Sequence, residues 1–321
     1  MLFSLLIPVY NTSKYLESCL NSILQQTFKD FEVIIIDDGS TDNSANICAN
    51  YVKQNKNIHY YYQENSGLYS ARYNAMVKAK GEYLVFVDSD DSIEPNCLQN
   101  LYEVISARHP DLVVFDANIV NDKNEIKDIR TLECNSGSLS IRYVLSLMIK
   151  GDSFNPIWMK SIRRSLFKPE DKYFGVNMAE DVIYTTSMLK RIQTIEYIKS
   201  KLYNYRINDN SITRNIRVDH FVQSNIAKNY LLSFVEKTFG SDSPETKLYL
   251  KRYVKGIAWY ISRVEYDELL NSQNKIDEIK KSSIYIQAKK THKFNFVYKI
   301  LIELFEKNKY GVIIRFMRLL K

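Results

Sequence analysis

The chain has 321 residues, 45% hydrophobic and 25% charged, which is room for a large core and the balance of a globular protein, and excludes a wholly disordered chain. A net charge of +7 and a pI near 8.9 suit nucleic acid, anionic lipid or phosphorylated substrates alike, so where the charge lies matters more than its sum. Cys19, Cys48, Cys97 and Cys134 show no CxxC or Cys/His pairing, the pattern of reduced, mostly buried thiols in a cytoplasmic protein.

The run Met1 to Pro8 lacks the basic flank and small-residue cleavage site of a signal peptide, and Phe3 to Val9 reads as a first strand. No apolar run approaches the ~20 residues of a membrane-spanning helix. Apolar residues recur at helical spacing from Tyr15 to Leu24. Phe31 to Ile36 is a second buried strand, ending in the turn-rich acidic segment Asp37 to Asp42, and a helix then carries Ile47, Cys48 and Tyr51. Ile58 to Tyr62 is a third strand, and a helix from about Leu68 to Lys80 has Gly81 where a C-cap would stand. The run Tyr83 to Val87 reads as a buried strand that stops abruptly at Asp88, Asp90 and Asp91. A helix from Pro95 to about Ala107 and a strand from Leu112 to Phe115 follow.

Repeated strand–helix units with short connections predict a parallel sheet covered by helices, and such sheets bind ligands beyond the carboxyl ends of their strands. Tyr10 and Asn11, Asp37 and Asp38, and Asp88 to Asp91 all fall on that edge. Close carboxylates repel by roughly 4 kcal/mol per pair at an effective dielectric near 20, so the last group is either a set of solvated turn residues or a site for a divalent cation. All-oxygen ligands suit Mg²⁺ or Mn²⁺, and Mg²⁺ commonly shares itself with substrate phosphates. No GxxxxGK[ST] loop occurs and no GxGxxG follows the first strand, so a diphosphate would be held by metal and basic side chains rather than by a backbone cradle. Asp38 could accept hydrogen bonds from a base or ribose, or simply form the turn before Gly39.

Past Asn118 the pattern loosens into a polar loop or hairpin region from Asn121 to Ser138. Leu139 to Lys150 looks helical, and Ile157 to Phe167 mixes apolar and basic residues; Arg163 and Arg164 there are acceptor-site cations or a solvated helix face. A helix opens at Glu180-Asp181 and runs to Arg191, with two strand-like segments after it, Thr194 to Ile198 and Leu202 to Ile207. From about Val218 long helical patterns take over, His220 to Phe239, Pro244 to Val264 and Tyr266 to Ile286. This change sets a boundary near residue 215, between a domain of residues 1–215 and a helical region of residues 216–321.

Several segments together resemble the family 2 glycosyltransferases of the GT-A fold, of the bacterial polysaccharide and cell-surface glycan type. They are Leu6-Ile7-Pro8-Val9-Tyr10-Asn11, Leu16 to Thr27, Ile36 to Asp42, Gly67 to Arg72, Gly81-Glu82-Tyr83 and Val87 to Asp91, with Glu180-Asp181, Tyr205-Arg206 and Ser211-Ile212-Thr213 further on. Order and spacing over residues 1 to about 95 carry the resemblance; Tyr73 departs from it, since the family usually has Asn directly after the residue matching Arg72. The resemblance implies an α/β GT-A domain with a mixed, Rossmann-like sheet. It also implies a nucleotide-diphosphate-sugar donor, a UDP-sugar foremost, and a glycan or polyprenyl-linked acceptor. Pro8, Tyr10 and Asp38 would line the nucleobase pocket, Arg72 would reach the base or phosphate, and Asp88 with Ser89 would contact the donor. Asp90 would ligate Mn²⁺ or Mg²⁺, and Asp181 would be the general base of an inverting transfer, with Asp91, Glu180, Trp158 and Arg206 as further candidates. The chemistry suits those residue types, because the acceptor hydroxyl must lose its proton on the face opposite the leaving diphosphate. Without the resemblance, Glu180 and Asp181 read equally as acids in a helix's first turn.

From Phe294 to Lys321, Phe296, Val297, Ile300, Leu301, Leu304, Phe305, Val312, Ile313, Phe316 and Leu319 alternate with Lys299, Lys307, Lys309, Arg315 and Arg318. Gly311 is expected to divide this tail into two amphipathic helices. These would lie on an anionic membrane surface, at the inner face of the plasma membrane, or pack within a helical subdomain or on a second subunit. Nucleic-acid binding is disfavoured, because the basic residues lie mainly in the C-terminal part with no matching motif or aromatic platform. The remaining alternatives are nucleotidyl or phosphoryl transfer and a non-catalytic sugar-nucleotide binder.

Overall fold

The computed structural model describes residues 1–151, 154–168, 176–207, 216–291 and 296–319. The chain divides into two compact units, the first of Met1–Val144, Ser153–Gly175 and Ser187–Asn208, the second of Leu145–Asp152, Val176–Thr186 and Asp209–Lys321. Residues 208–215, which hold the expected boundary and the Ser211-Ile212-Thr213 segment, lie outside the described residues, as does Phe294.

The first unit opens with β1 (Phe3–Val9), α1 (Ser13–Leu24), β2 (Phe31–Asp38), α2 (Ser44–Gln54), β3 (Ile58–Gln63), α3 (Leu68–Lys78) and β4 (Tyr83–Phe86). β5 (Ser92–Ile93), α4 (Cys97–Arg108), β6 (Leu112–Val120), β7 (Ile126–Arg130) and β8 (Gly137–Leu139) follow. α5 (Ile141–Lys150), a 3₁₀ turn at Ile157–Met159, β9 (Lys160–Arg163), a second 3₁₀ turn at Arg164–Leu166, α6 (Glu180–Leu189) and β10 (Ile195–Arg206) complete the sequence up to residue 207. Every residue of β1, β2 and β4 is buried, as expected of central strands covered on both faces. α1 turns Leu16, Cys19, Leu20 and Ile23 inward, the i, i+3, i+4, i+7 stripe of an amphipathic helix.

The strand order is β3-β2-β1-β4-β9-β6-β10-β5. β3, β2, β1 and β4 run parallel, but β9 enters antiparallel between β4 and β6, so the sheet is mixed where the repeated strand–helix pattern alone suggested a parallel one. β9 is four residues long with a basic half, too short to show a period. The two strand-like segments after residue 194 are one strand, β10, joined through register shifts between Ile198 and Lys201 and between Lys201 and Tyr203; extra residues at such bulges interrupt the alternation. The polar region after Asn118 holds a hairpin, β7 folding back on β6.

Gly81 is not a helix cap. α3 ends at Lys78, with Ala79 extended as its C-cap. Gly81 instead lies against β1, where an added Cβ would stand 2.6 Å from Phe3 C and Ser4 N, and its N–H donates to Ser4 Oγ at 2.8 Å. Glycine is needed there for close backbone approach. Arg163, partly exposed, pairs with Glu82 at 3.1 Å and Asp111 at 3.2 Å, and Arg164 is exposed, as a solvated position would be, while its Nε donates to Gly81 O at 2.7 Å.

The second unit is helical. α7 (Val218–Phe239) and α8 (Pro244–Ile261) are joined by a turn in which Ser243 Oγ accepts from Thr246 N and Pro244 opens the helix. The pattern over Tyr266 to Ile286 resolves into α9 (Tyr266–Asn271), α10 (Gln273–Lys281) and α11 (Ser283–Lys290), broken at Ser272 and Ser282. α12 (Phe296–Glu306) and α13 (Tyr310–Leu319) end the described chain. Asn308, in the left-handed region at φ 54°, separates them, while the expected divider Gly311 lies in the first turn of α13. Asparagine tolerates that conformation through its short polar side chain. Phe221 stacks on Tyr260 at 5.0 Å, and Phe305 meets Phe221, Tyr285 and Tyr310 to form this unit's aromatic core. Among the described residues no helix is long and apolar enough to cross a membrane.

Candidate active site

Register fixes the site. β1 pairs Val9 with Asp37, so β1 and β2 end within a residue of each other, and Leu6 with Phe86, so β4 ends three residues short of Val9 and the chain that continues it carries Asp88 to Asp91 to the same edge. Tyr10, half exposed, and Asp38 lie there too.

The β1 and β2 ends are tied together by short polar side chains. Asn11, in the left-handed region at φ 52°, accepts from Thr41 N at 2.8 Å through Oδ1, and Asp42 accepts from Ser13 N and Ser44 N, both at 2.9 Å. Desolvation would raise the Asp42 carboxyl, but the Ser44 and Ser13 hydrogen bonds outweigh it and hold it at about 2. The turn-forming acid before Gly39 is Asp37, which accepts from Ser40 N at 2.8 Å and from the Tyr60 hydroxyl at 2.7 Å. Asp38 is buried and faces the other way, accepting from Gln63 Nε2 at 2.7 Å and from Ser66 N and Gly67 N at 2.8 Å. Its carboxylate therefore shapes the segment leading into α3.

Arg72 on α3 is buried beneath the acidic edge, and its Nη2 donates to Asp88 Oδ1 at 2.7 Å. Ser89 is buried and bonds Thr12 Oγ1 at 2.9 Å. Asp88 and Asp90 are partly exposed; Asp91 is buried. Asp91 accepts from the Tyr203 hydroxyl and from Arg206 N, each at 2.7 Å, and burial, then the charges of Asp90 and Asp88, push its carboxyl well above the usual range. The Tyr203 hydroxyl also accepts from Asp88 N at 3.0 Å, so one phenol on β10 spans the whole acidic turn. Arg206 adds Nε to Asp90 O at 3.0 Å and reaches Asn121 O and the Asn124 side chain at the tip of the β6–β7 hairpin. Trp158 is buried against Tyr203 and Tyr205, with ring centroids 4.7 and 5.1 Å apart.

The first unit thus brings together Pro8, Tyr10, Asp38, Arg72, Asp88, Ser89, Asp90, Asp91, Trp158 and Arg206. Glu180, buried, and Asp181, partly exposed, belong to the second unit, in the first turn of α6 directly after Ala179 at φ 63°. Tyr203, Thr12 and Gln63 take part in the site but were not singled out from the sequence. Tyr203 alone had a signal there, as a polar-tipped aromatic two residues from Tyr205 on one strand face.

A mixed sheet with this acidic edge defines the GT-A class of nucleotide-diphospho-sugar transferases. The fold matches the crystal structure of Staphylococcus aureus TarS residues 1–349 in complex with UDP, with a TM-score of 0.72 at 19% identity over 100% of this chain and 92% of that one; a structure of the same protein with UDP-GlcNAc matches at 0.62. Residues 4–169 match the model of glycosyl transferase family 2, and the chain belongs to that family. Glycosyltransferase GlyG of Streptococcus pneumoniae is 31% identical over 223 residues, covering 66% of this chain and 73% of the relative. Glycosyltransferase GlyA of the same organism is 32% identical over 219 residues, and there the match spans 66% of this chain and only 31% of the relative.

Proposed function

We propose that this glycosyltransferase moves a sugar, with inversion, from a UDP-sugar to a hydroxyl of a glycan or polyprenyl-linked acceptor in cell-surface polysaccharide biosynthesis. The observation that carries the reading is the edge itself, where Tyr10 and the partly exposed Asp88 and Asp90 follow the carboxyl ends of neighbouring parallel strands over a buried Arg72. Pro8 and Tyr10 form the nucleobase side, shaped by the turn that Asp38 holds, and Asp88 and Ser89 meet the rest of the nucleotide. The likeness to a fold crystallised with UDP and with UDP-GlcNAc supports a uridine donor.

The donor set fits Mn²⁺ or Mg²⁺. Asp90 and Asp88 offer oxygens at the exposed edge, whereas Asp91 is withdrawn into bonds with Tyr203 and Arg206; two carboxylates leave coordination positions for water and phosphate oxygens, the arrangement Mg²⁺ favours. Among the described residues no three His, Cys, Asp or Glu side chains form a metal cage, so such an ion would depend on the donor's phosphates. Bound there, it would stabilise charge on the leaving diphosphate. Asp181 takes the acceptor proton, and residues 1–215 form the transfer domain. Incubating the chain with a panel of nucleotide sugars, with and without Mn²⁺, should release nucleoside diphosphate in a metal-dependent manner. Release of pyrophosphate or orthophosphate instead would assign it to nucleotidyl or phosphoryl transfer.

Residues 216–321 bring the enzyme to the inner face of the plasma membrane. Phe296, Val297, Ile300, Val312 and Leu319 are exposed, with Lys299, Arg315 and Arg318 on the same helices, the make-up of an interfacial surface for anionic lipid. The chain should float with liposomes containing phosphatidylglycerol and lose that association in high salt. Flotation failing at low salt would leave these helices to a second copy of the chain.

A further inference from the structure

β7 enters the sheet where β9 leaves it. β10 lies along the full length of β6, from Leu112 to Val120, so it occupies one edge of that strand completely. On the other edge β9 pairs with Leu112 to Val114, and β7 pairs with Ala117 to Val120. Arg130, opposite Ala117, therefore stands on the edge of β6 that faces β4. Its height follows from the same register. Ser161 pairs with both Val85 and Val113, and β4 and β6 both run antiparallel to β9; continuing each strand by the same number of residues sets Ala117 level with Ser89. β7 takes the place beside β6 that β9 holds lower down, so one strand spacing, roughly 5 Å, separates the line of the Arg130 backbone from that of the acidic tip, within reach of an arginine and a small ligand group. The approach is from the side of β4 opposite to β1 and β2.

The guanidinium is aimed rather than loose. It lies over the Trp158 ring, 5.7 Å from the centroid, and Trp158 is itself fixed by Tyr203 and Tyr205. Arg72, Arg108 and Arg163 each hold a carboxylate, whereas among the described residues Arg130, half-buried, has only that ring for a partner. Asp128, on the same face of β7, accepts from Ile129 N. The Tyr205 phenol is pushed up by burial and then by Asp91, Asp90 and Asp88, while Arg130 pulls it down, so guanidinium and acidic cluster act on one phenol. A guanidinium that is partly desolvated, held in orientation and lacking a carboxylate is prepared for an oxyanion.

We infer that Arg130 is the anion-recognising residue of the acceptor subsite, taking a phosphate or carboxylate group carried by the acceptor. The inference rests on the reading that seats the nucleoside over β1 and β2; the donor's own diphosphate is the competing source of the anion. Only two tryptophans are present, Trp158 and Trp259, so in full-length Trp259→Phe chain the emission of Trp158 reports on this place alone. Inorganic phosphate, titrated at constant ionic strength, should change that emission saturably, and equally well with UDP already bound. Adding Arg130→Gln should weaken phosphate roughly tenfold or more, the scale of a charge-assisted hydrogen-bonded pair, while Arg130→Lys should keep much of the affinity. An unchanged titration in Arg130→Gln overturns the inference, and so does competition between UDP and phosphate, which would hand the residue to the donor. UDP binding, read by calorimetry on the same samples, keeps the two readings apart. Phosphate bound through Arg130 without any UDP binding would sink the donor assignment, and UDP binding without an Arg130-dependent phosphate titration would sink this one.

Discussion

Asp181→Asn is expected to lower the rate of sugar transfer by roughly 10²–10⁴ while leaving UDP affinity within about twofold of wild type. The substitution keeps the size and hydrogen-bonding outline of the side chain but removes its ability to take a proton, a need that arises only as the acceptor hydroxyl attacks. Donor contacts, by contrast, are assigned to the first unit, at Tyr10, Asp88 and Asp90. Position also favours an ionised carboxylate: Asp181 stands in the first turn of α6, where the exposed N–H groups and the helix dipole stabilise negative charge. That same placement supplies the competing role, a carboxylate that only steadies the helix, worth about 0.3–1 kcal/mol. Steady-state transfer rates and calorimetric UDP binding on the two proteins decide between them. A variant that loses a little thermal stability and transfers at the normal rate would leave Asp181 a helix residue and the base unassigned.

How much of this was legible before the structure depended on the scale at which each feature is encoded. β1, β2, β3 and β4 were readable because a run of buried aliphatic residues is a local signal, and the co-location of Tyr10, Asp38 and Asp88 followed from chain direction in a parallel sheet. What Asp88, Asp90 and Asp91 each do was not readable. In sequence they are three acids around a serine; in the fold they are separated by Tyr203 and Arg206, more than a hundred positions away, which take Asp91 inward and leave Asp90 at the edge. Arg72 is a similar case, a charged residue in a helix whose other inward positions are Tyr69, Ala71, Tyr73, Ala75 and Met76, and its ion pair with Asp88 was not visible in the helical pattern. Gly81 shows the opposite failure. Its neighbourhood in sequence matched a helix cap, but the constraint on it comes from β1 across the sheet.

Asp88→Ala should destabilise the fold by about 3 kcal/mol, and Arg72→Met by distinctly less. The asymmetry comes from burial: the Arg72 side chain is 2% exposed and that of Asp88 22%, across a contact of 2.7 Å. Truncating Asp88 takes this carboxylate from a guanidinium that water barely reaches, and the desolvation cost of that charge is offset less. Arg72→Met leaves Asp88 ionised but able to turn to solvent, and the methionine fills most of the aliphatic volume. Joining the two substitutions should restore part of the loss, because the buried guanidinium that lost the Asp88 carboxylate is then removed as well, and the cycle of wild type, singles and double by urea denaturation reads the coupling directly. Equal costs for the singles, or a double mutant that simply adds them, would mean that Arg72 contributes by packing and that Asp88 is not the charge it balances. UDP binding should follow a different order. Both single substitutions should weaken it, Arg72→Met by leaving surplus negative charge where a diphosphate must approach, and Asp88→Ala by removing an oxygen from the donor set. Stability and binding would then separate what the pair does for the fold from what it does for the nucleotide.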